Sequence, residues 1–113
     1  MTQCLFCRVV AGDLPSTVVH ETPRTLAIRD LSPVAPTHVL VLPKDHYDDI
    51  AALAAADLSY VGEVFEAASE VARREGLTGG HRMITNTGRD SGQTVPHVHV
   101  HVLGGRPLGT LVG

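Results

Sequence analysis

Apolar and polar residues change their spacing several times along the chain, and each change marks an element. Residues 5–11 form a short apolar run ended by Gly12, which predicts a helix, after which Pro15 and Ser16 turn the chain. Residues 17–21 and 26–29 are β-branched and aliphatic runs joined through Thr22, Pro23 and Arg24, the pattern of a hairpin. Residues 30–37 hold Pro33 and Pro36, so they are a loop rather than sheet interior, and they lead into a strand over 38–42 that Pro43 closes. Asp48 or Asp49 then caps an Ala-rich helix over 50–55, and Asp57 caps a longer one. In that helix Leu58, Val61, Phe65, Ala68 and Val71 or Ala72 recur at three- and four-residue intervals up to Gly76. A strand over 82–85, a polar loop over 86–94 and a last strand over 97–103 complete the chain. Strands, then a main helix, then strands is the order of an α+β fold.

Composition narrows this further. With 113 residues, 43% hydrophobic and 19% charged, the chain suits one domain over residues 1–113 with a core of its own. Nine basic residues against twelve acidic give a net charge of −3, which argues against nucleic acid or an anionic membrane as the main partner. No apolar run reaches the ~18 to 20 residues of a membrane span. Met1 to Cys4 lacks the basic and apolar regions of a signal peptide, so a cytoplasmic location is expected. There Cys4 and Cys7, at Cys-x-x-Cys spacing, are expected to be reduced, which leaves redox work, metal binding or no role open to them.

The last strand carries the chemistry. From His97 to Leu103 imidazoles alternate with valines, so His97, His99 and His101 share one face and Val98, Val100 and Val102 the other. Histidines spaced by roughly 6.5 to 7 Å can serve one substrate, or one metal and its neighbour. His20 and His81 stand outside any such pattern and read as structural. The loop before the strand bears Gly88 and Gly92 with Ser91, Gln93 and Thr94. Glycines let backbone N–H groups converge on an anion, so beside three histidines the loop reads as half of a phosphate pocket. A neutral imidazole is nucleophilic near pH 7, and chemistry on a phosphoryl group needs a nucleophile and a proton donor for the leaving group. One imidazole face can supply both.

The stretch from Gly92 to Arg106, with His97, His99 and His101 separated by single hydrophobic residues, resembles the signature of the histidine triad (HIT) superfamily and, in its continuation, the Hint branch. Cys4-Leu5-Phe6-Cys7, the segment from Ala35 to His46, and Asn86 fall in family order, so the resemblance covers nearly the whole chain. It implies a five-stranded antiparallel sheet with one long and one or two short helices, paired as a homodimer. It implies a hydrolase of purine nucleotides that cleaves a bond between AMP and a small group, as in a nucleoside phosphoramidate or adenylyl adduct. His99 would be the nucleophile forming a nucleotidyl-histidine, His101 would contact the phosphate and help the leaving group, and His38 would support the triad. Asp30 matches the position that binds ribose hydroxyls, with Asn86, Gln93 and Thr94 as further substrate contacts. Cys4, Cys7, His46 and His97 match ligands of one structural zinc ion per chain, with no organic cofactor. Phe6, Ile28 and Leu31 are candidate purine walls or core. The absence of tryptophan and the tail from Pro107 depart from the eukaryotic Hint pattern. A diadenosine polyphosphate hydrolase of the Fhit type would use the same histidines, and a non-catalytic nucleotide-binding regulator or scaffold is the reading outside enzymology.

Overall fold

The computed structural model describes residues 4–112; Met1 to Gln3, at the expected N-terminus, and Gly113, the end of the expected tail, lie outside the described residues. The elements are α1 (Leu5–Val10), β1 (Val18–Glu21), β2 (Thr25–Arg29), β3 (Thr37–Pro43), α2 (Ile50–Ala56), α3 (Leu58–Arg74), β4 (His81–Ile84), a single 3₁₀ turn (Arg89–Ser91) and β5 (Val100–Gly104). The strands form one antiparallel sheet in the order β1-β2-β3-β5-β4. The α+β reading and the five-stranded sheet therefore hold.

Two layers flank the sheet, and period-two alternation decides what each strand gives to them. Ala27, Val39, Val41, Val100 and Val102 face α3 in the main core, with Leu53 of α2 and Tyr60, Val64, Ala68 and Val71 of α3. Leu26, Ile28, Leu40 and Leu42 face the other way, onto Cys4 and Phe6 of the N-terminal segment. Among the described residues the second face is thus covered by a six-residue helix with Val95 beside it. Beside it His101 of β5 is left half-buried, while every residue of β3 is buried.

Several boundaries differ from the sequence reading. Asp49, whose side chain accepts from the Ala52 N–H at 2.8 Å, caps α2, because Asp48 is engaged elsewhere. On α3 the period is as expected and most of the stripe holds, with Ala68, Val71 and Ala72 buried and Val61 and Phe65 packed against the core, but the stripe also takes in Tyr60, Val64 and Ala67, while Leu58 is 73% exposed. Tyr60 anchors that stripe because its hydroxyl has partners inside, donating to the Arg24 carbonyl at 2.7 Å, with the Arg24 guanidinium stacked 3.8 Å above its ring. Strand β4 starts one residue earlier than expected, and β5 begins only at Val100. His97 and His99 therefore precede the ladder, where Val98 N–H donates to the Tyr47 carbonyl instead of to a strand. After β5 the chain passes so close to the loop before β3 that a Cβ on Gly105 would lie 2.8 Å from Pro36, and its φ of +96° also requires glycine. The tail is tied back, since Arg82 donates to the Gly109 carbonyl at 2.5 Å.

Candidate active site and metal cluster

The three triad histidines do share a face, but each ring meets different neighbours. His97 is fully buried and His99 is 8% exposed. The Phe6 ring stands edge-on to both, with centroids 6.0 Å from His97 and 5.0 Å from His99. His101 lies 5.0 Å from His99 and 5.2 Å from His38, centroid to centroid.

Partners of unambiguous polarity assign the protons. Nδ1 of His99 is 2.8 Å from the His97 carbonyl oxygen, which can only accept, so the proton is on Nδ1 and Nε2 carries the lone pair. Nδ1 of His38 accepts the Val34 N–H at 3.2 Å, so neutral His38 is protonated on Nε2. That proton faces Nδ1 of His101 at 2.9 Å. When His101 accepts there, its own proton is on Nε2. The face thus combines a lone pair on His99 with a donor on the adjacent His101. Burial, reinforced by His99 and His38 and opposed by Asp30, pulls His101 down to about 4, so it is neutral at pH 7.

Cys4, Cys7, His46 and His97 form a second group, their ligand atoms all within 4.8 Å of one another. Nδ1 of His97 lies 3.3 Å from Sγ of Cys4 and 3.5 Å from Sγ of Cys7, and Nδ1 of His46 lies 3.3 Å from Sγ of Cys7. Behind the cluster, Nε2 of His97 donates to the Pro43 carbonyl at 2.9 Å and Nε2 of His46 to the Asp48 carboxylate at 2.9 Å. Both rings therefore turn a lone pair toward the thiols, the arrangement in which outer partners orient metal-binding imidazoles. Burial also lowers the pKa of His97, which keeps it neutral as a ligand must be. This donor set can hold a metal ion.

Asp30, His38 and His101 are equally close together. Their protons argue against a metal there. A cation on Nε2 of His38 would displace that proton to Nδ1, where the Val34 N–H already points. The first cluster could hold a metal ion, whereas in the second the ring protons serve hydrogen bonds.

A cleft of about 350 Å³ opens beside the face, lined largely by Leu5, Phe6, Val9, Ile28, Leu31 and Leu40, with Asp30 at its edge. Its walls stop at Phe6, which touches His99, and at Leu40, which pairs with His101 across the strands. Of the remaining expected contacts, Asn86 is half-buried just past β4 and Thr94 is exposed. Gln93 braces the loop: its amide N–H groups go to the Asp48 and Val95 carbonyls at 2.7 and 3.0 Å, and its oxygen accepts the Gly88 N–H at 2.8 Å. Sequence reasoning missed the backbone partners of His38, His97 and His99, which no side-chain pattern announces. It also missed Asp48, which the spacing His46-Tyr47-Asp48 could have revealed.

An antiparallel sheet with one face closed by α3, and on the other a row of tautomer-fixed histidines beside an apolar cleft, defines a protein built to present imidazoles to a partly apolar ligand. A model of the HIT domain matches residues 11–108. The chain belongs to the HIT family. It is 36% identical over 111 residues to the purine nucleoside phosphoramidase of Escherichia coli K12, an alignment covering 97% of this chain and 93% of that protein. It is 36% identical to protein HitA of Neisseria gonorrhoeae over 104 residues, covering 92% and 97% respectively. Among solved structures, a HIT family hydrolase from Clostridium thermocellum superposes with a TM-score of 0.93 at 38% identity, covering 99% of this chain and 98% of that one.

Proposed function

We propose that this chain is a nucleotide hydrolase that cleaves AMP-linked substrates, nucleoside phosphoramidates or adenylyl adducts, through a nucleotidyl-histidine on His99. The observation that carries the reading is the pairing of a lone pair on Nε2 of His99 with an N–H on Nε2 of the adjacent His101. The similarity to a phosphoramidase, at 36% identity over nearly the full chain, supports the substrate class.

In this reading Nε2 of His99 attacks phosphorus as the bond to the leaving group breaks, and Nε2–H of His101 is directed at the leaving nitrogen or oxygen, which it protonates when His101 carries a proton on both ring nitrogens. The His97 carbonyl, accepting from Nδ1–H of His99, steadies the charge that the ring then carries. Water resolves the adduct, releasing AMP. The apolar cleft takes the purine and Asp30 the ribose hydroxyls, with Asn86 and Thr94 near the phosphate. His38 holds His101 in its tautomer.

The metal is zinc, one per chain, held by Cys4, Cys7, His46 and His97. Zinc bonded to sulfur at ~2.3 Å and to nitrogen at ~2.0 to 2.1 Å in a tetrahedron puts those atoms about 3.5 Å apart, against the observed 3.3 to 3.5 Å. When bound it supplies a closed structural tie, since four protein ligands leave no position for water. The family pairing implies a homodimer, and a cytoplasmic location accords with thiols kept reduced.

The test is to incubate the protein with a fluorogenic adenosine phosphoramidate, quench early and map the adenylyl label. The expected result is label on His99. His99→Ala is expected to lose turnover by at least about 10³-fold, in line with removal of a covalent nucleophile, while still binding AMP. Label on another residue, or undiminished turnover by His99→Ala, overturns the reading.

A further inference from the structure

Nε2 of His38 has one proton and two acceptors within reach. With Nδ1 taken by the Val34 N–H, that proton lies between Nδ1 of His101 at 2.9 Å and Oδ2 of Asp30 at 3.4 Å. The other carboxylate oxygen accepts the Ser32 N–H at 2.7 Å, which fixes the orientation of Asp30. The site is sparingly hydrated, the side chains of His38 and Asp30 being 6% and 20% exposed.

When the His38 proton goes to His101, His101 is neutral and its Nε2–H can only lend a hydrogen bond. Giving that proton away would leave an imidazolate, far too basic to form. A true acid needs His101 as imidazolium, with N–H groups on both nitrogens. The new Nδ1–H then collides with Nε2–H of His38, and the Val34 N–H bars the His38 proton from moving to the other side of its ring. Asp30 offers the way out.

We propose that Asp30 is a positioning residue for leaving-group protonation: its carboxylate takes the Nε2–H of His38 whenever His101 holds a second proton, which lets His101 act as an acid. The inference rests on the nucleotidyl-transfer reading above and deepens it. The step balances: the P–N bond breaks as the bond from His99 Nε2 to phosphorus forms, its electron pair goes to nitrogen, and that nitrogen takes the Nε2 proton of His101. His101 returns to the neutral form, ready to accept a proton from the water that resolves the adduct. His101 is faced by His99 along its own segment, by His38 from β3 and by Asp30 from the loop after β2. Of these, Asp30 alone favours the cation.

The test compares the full chain with Asp30→Asn and Asp30→Glu on two AMP derivatives. One is an alkylamine phosphoramidate, whose nitrogen must be protonated to leave. The other is the 4-nitrophenyl ester, which departs as a stable phenolate. Asp30→Asn is expected to lower kcat for the phosphoramidate at least about tenfold more than for the ester, a modest share of what general acid catalysis contributes. Asp30→Glu is expected to restore most of that ratio. AMP affinity is measured separately, so that loss of a ribose contact appears in Kd and KM for both substrates alike. Equal falls in the two kcat values, or losses confined to KM and Kd, overturn the proposal. Should Asp30→Asn fail to fold, ¹⁵N shifts of the wild-type AMP complex decide. As the pH of that complex is lowered, His38 is expected to keep its proton on Nε2 while His101 gains its second, and a His38 that loses the proton from Nε2, or an Asp30 that is protonated before His101, overturns the proposal. A wild type that turns over neither substrate overturns the parent reading itself.

Discussion

His46, His97 and His99 each have one ring nitrogen committed to an oxygen acceptor, and that choice, more than their proximity, separates the proposed metal ligands from the proposed nucleophile. In His46 and His97 the committed atom is Nε2, which leaves Nδ1 toward the thiols; in His99 it is Nδ1, which leaves Nε2 for chemistry. The division predicts separable losses. Cys4→Ser is expected to lower the melting temperature and metal content far more than the turnover of the surviving folded protein, read by calorimetry, metal analysis and activity on one sample. Equal losses of stability and turnover in a folded variant would contradict a purely structural metal. His101 makes a second prediction. The unfolded chain protonates this residue near ~6.5, the folded one only near about 4. Between those values the unfolded state binds more protons, so this contribution to stability is fully present above the window and is lost as pH falls through it. In metal-free protein, His101→Gln is expected to flatten the slope of melting temperature against pH between about 4 and ~6.5. An unchanged slope would place the proton uptake elsewhere.

At the scale of elements, α3 shows how far a pattern read from one dimension can go. Its period was legible, because apolar residues at three- and four-residue intervals admit few alternatives. Its first turn was not, because Tyr60 counts as polar until its hydroxyl has partners, and Arg24 and Asp45 come from distant segments. Leu58, read as core, sits exposed in the first turn. Leu58→Ser is therefore expected to change stability by less than about 0.5 kcal/mol. Val64→Ala, in the buried stripe, is expected to cost about 2 kcal/mol. Chemical denaturation of the two variants checks the assignment, and the reverse ranking would restore Leu58 to the core. The histidine segment divides similarly. Alternation put three imidazoles on one face, but the ladder starts at Val100, since the turn at Pro96 and the bond from Val98 N–H to Tyr47 hold the first two outside it. The apolar wall offered by Phe6 was foreseeable only as one of two options, because its contact with His99 depends on where α1 lies against the sheet.

Over the whole molecule, the cluster of Cys4, Cys7, His46 and His97 joins points remote in sequence: Cys4 and His97 are separated by 93 positions, Cys7 and His46 by 39. It also fastens α1, which supplies Leu5, Phe6 and Val9 to the cleft, over the less covered face of the sheet. A ligand that binds the folded state alone stabilises it by mass action, about 2.7 kcal/mol at a hundred times its Kd. For a chain of this size that corresponds to a shift in melting temperature on the order of 10 °C. The loss on chelation should be uneven. The sheet and α3 keep their own core, in which Val39, Val41, Val64, Val100 and Val102 are fully buried, whereas α1 keeps chiefly the Phe6 contacts. Removal of zinc is thus expected to raise amide exchange first in residues 5–10 and to weaken AMP binding, while amides of β3 and β5 stay protected. Restoring zinc should reverse both effects together. Uniform loss of protection across the sheet would instead make the metal part of the global folding equilibrium, and unchanged exchange in α1 would show that Phe6 and its apolar neighbours hold that helix unaided.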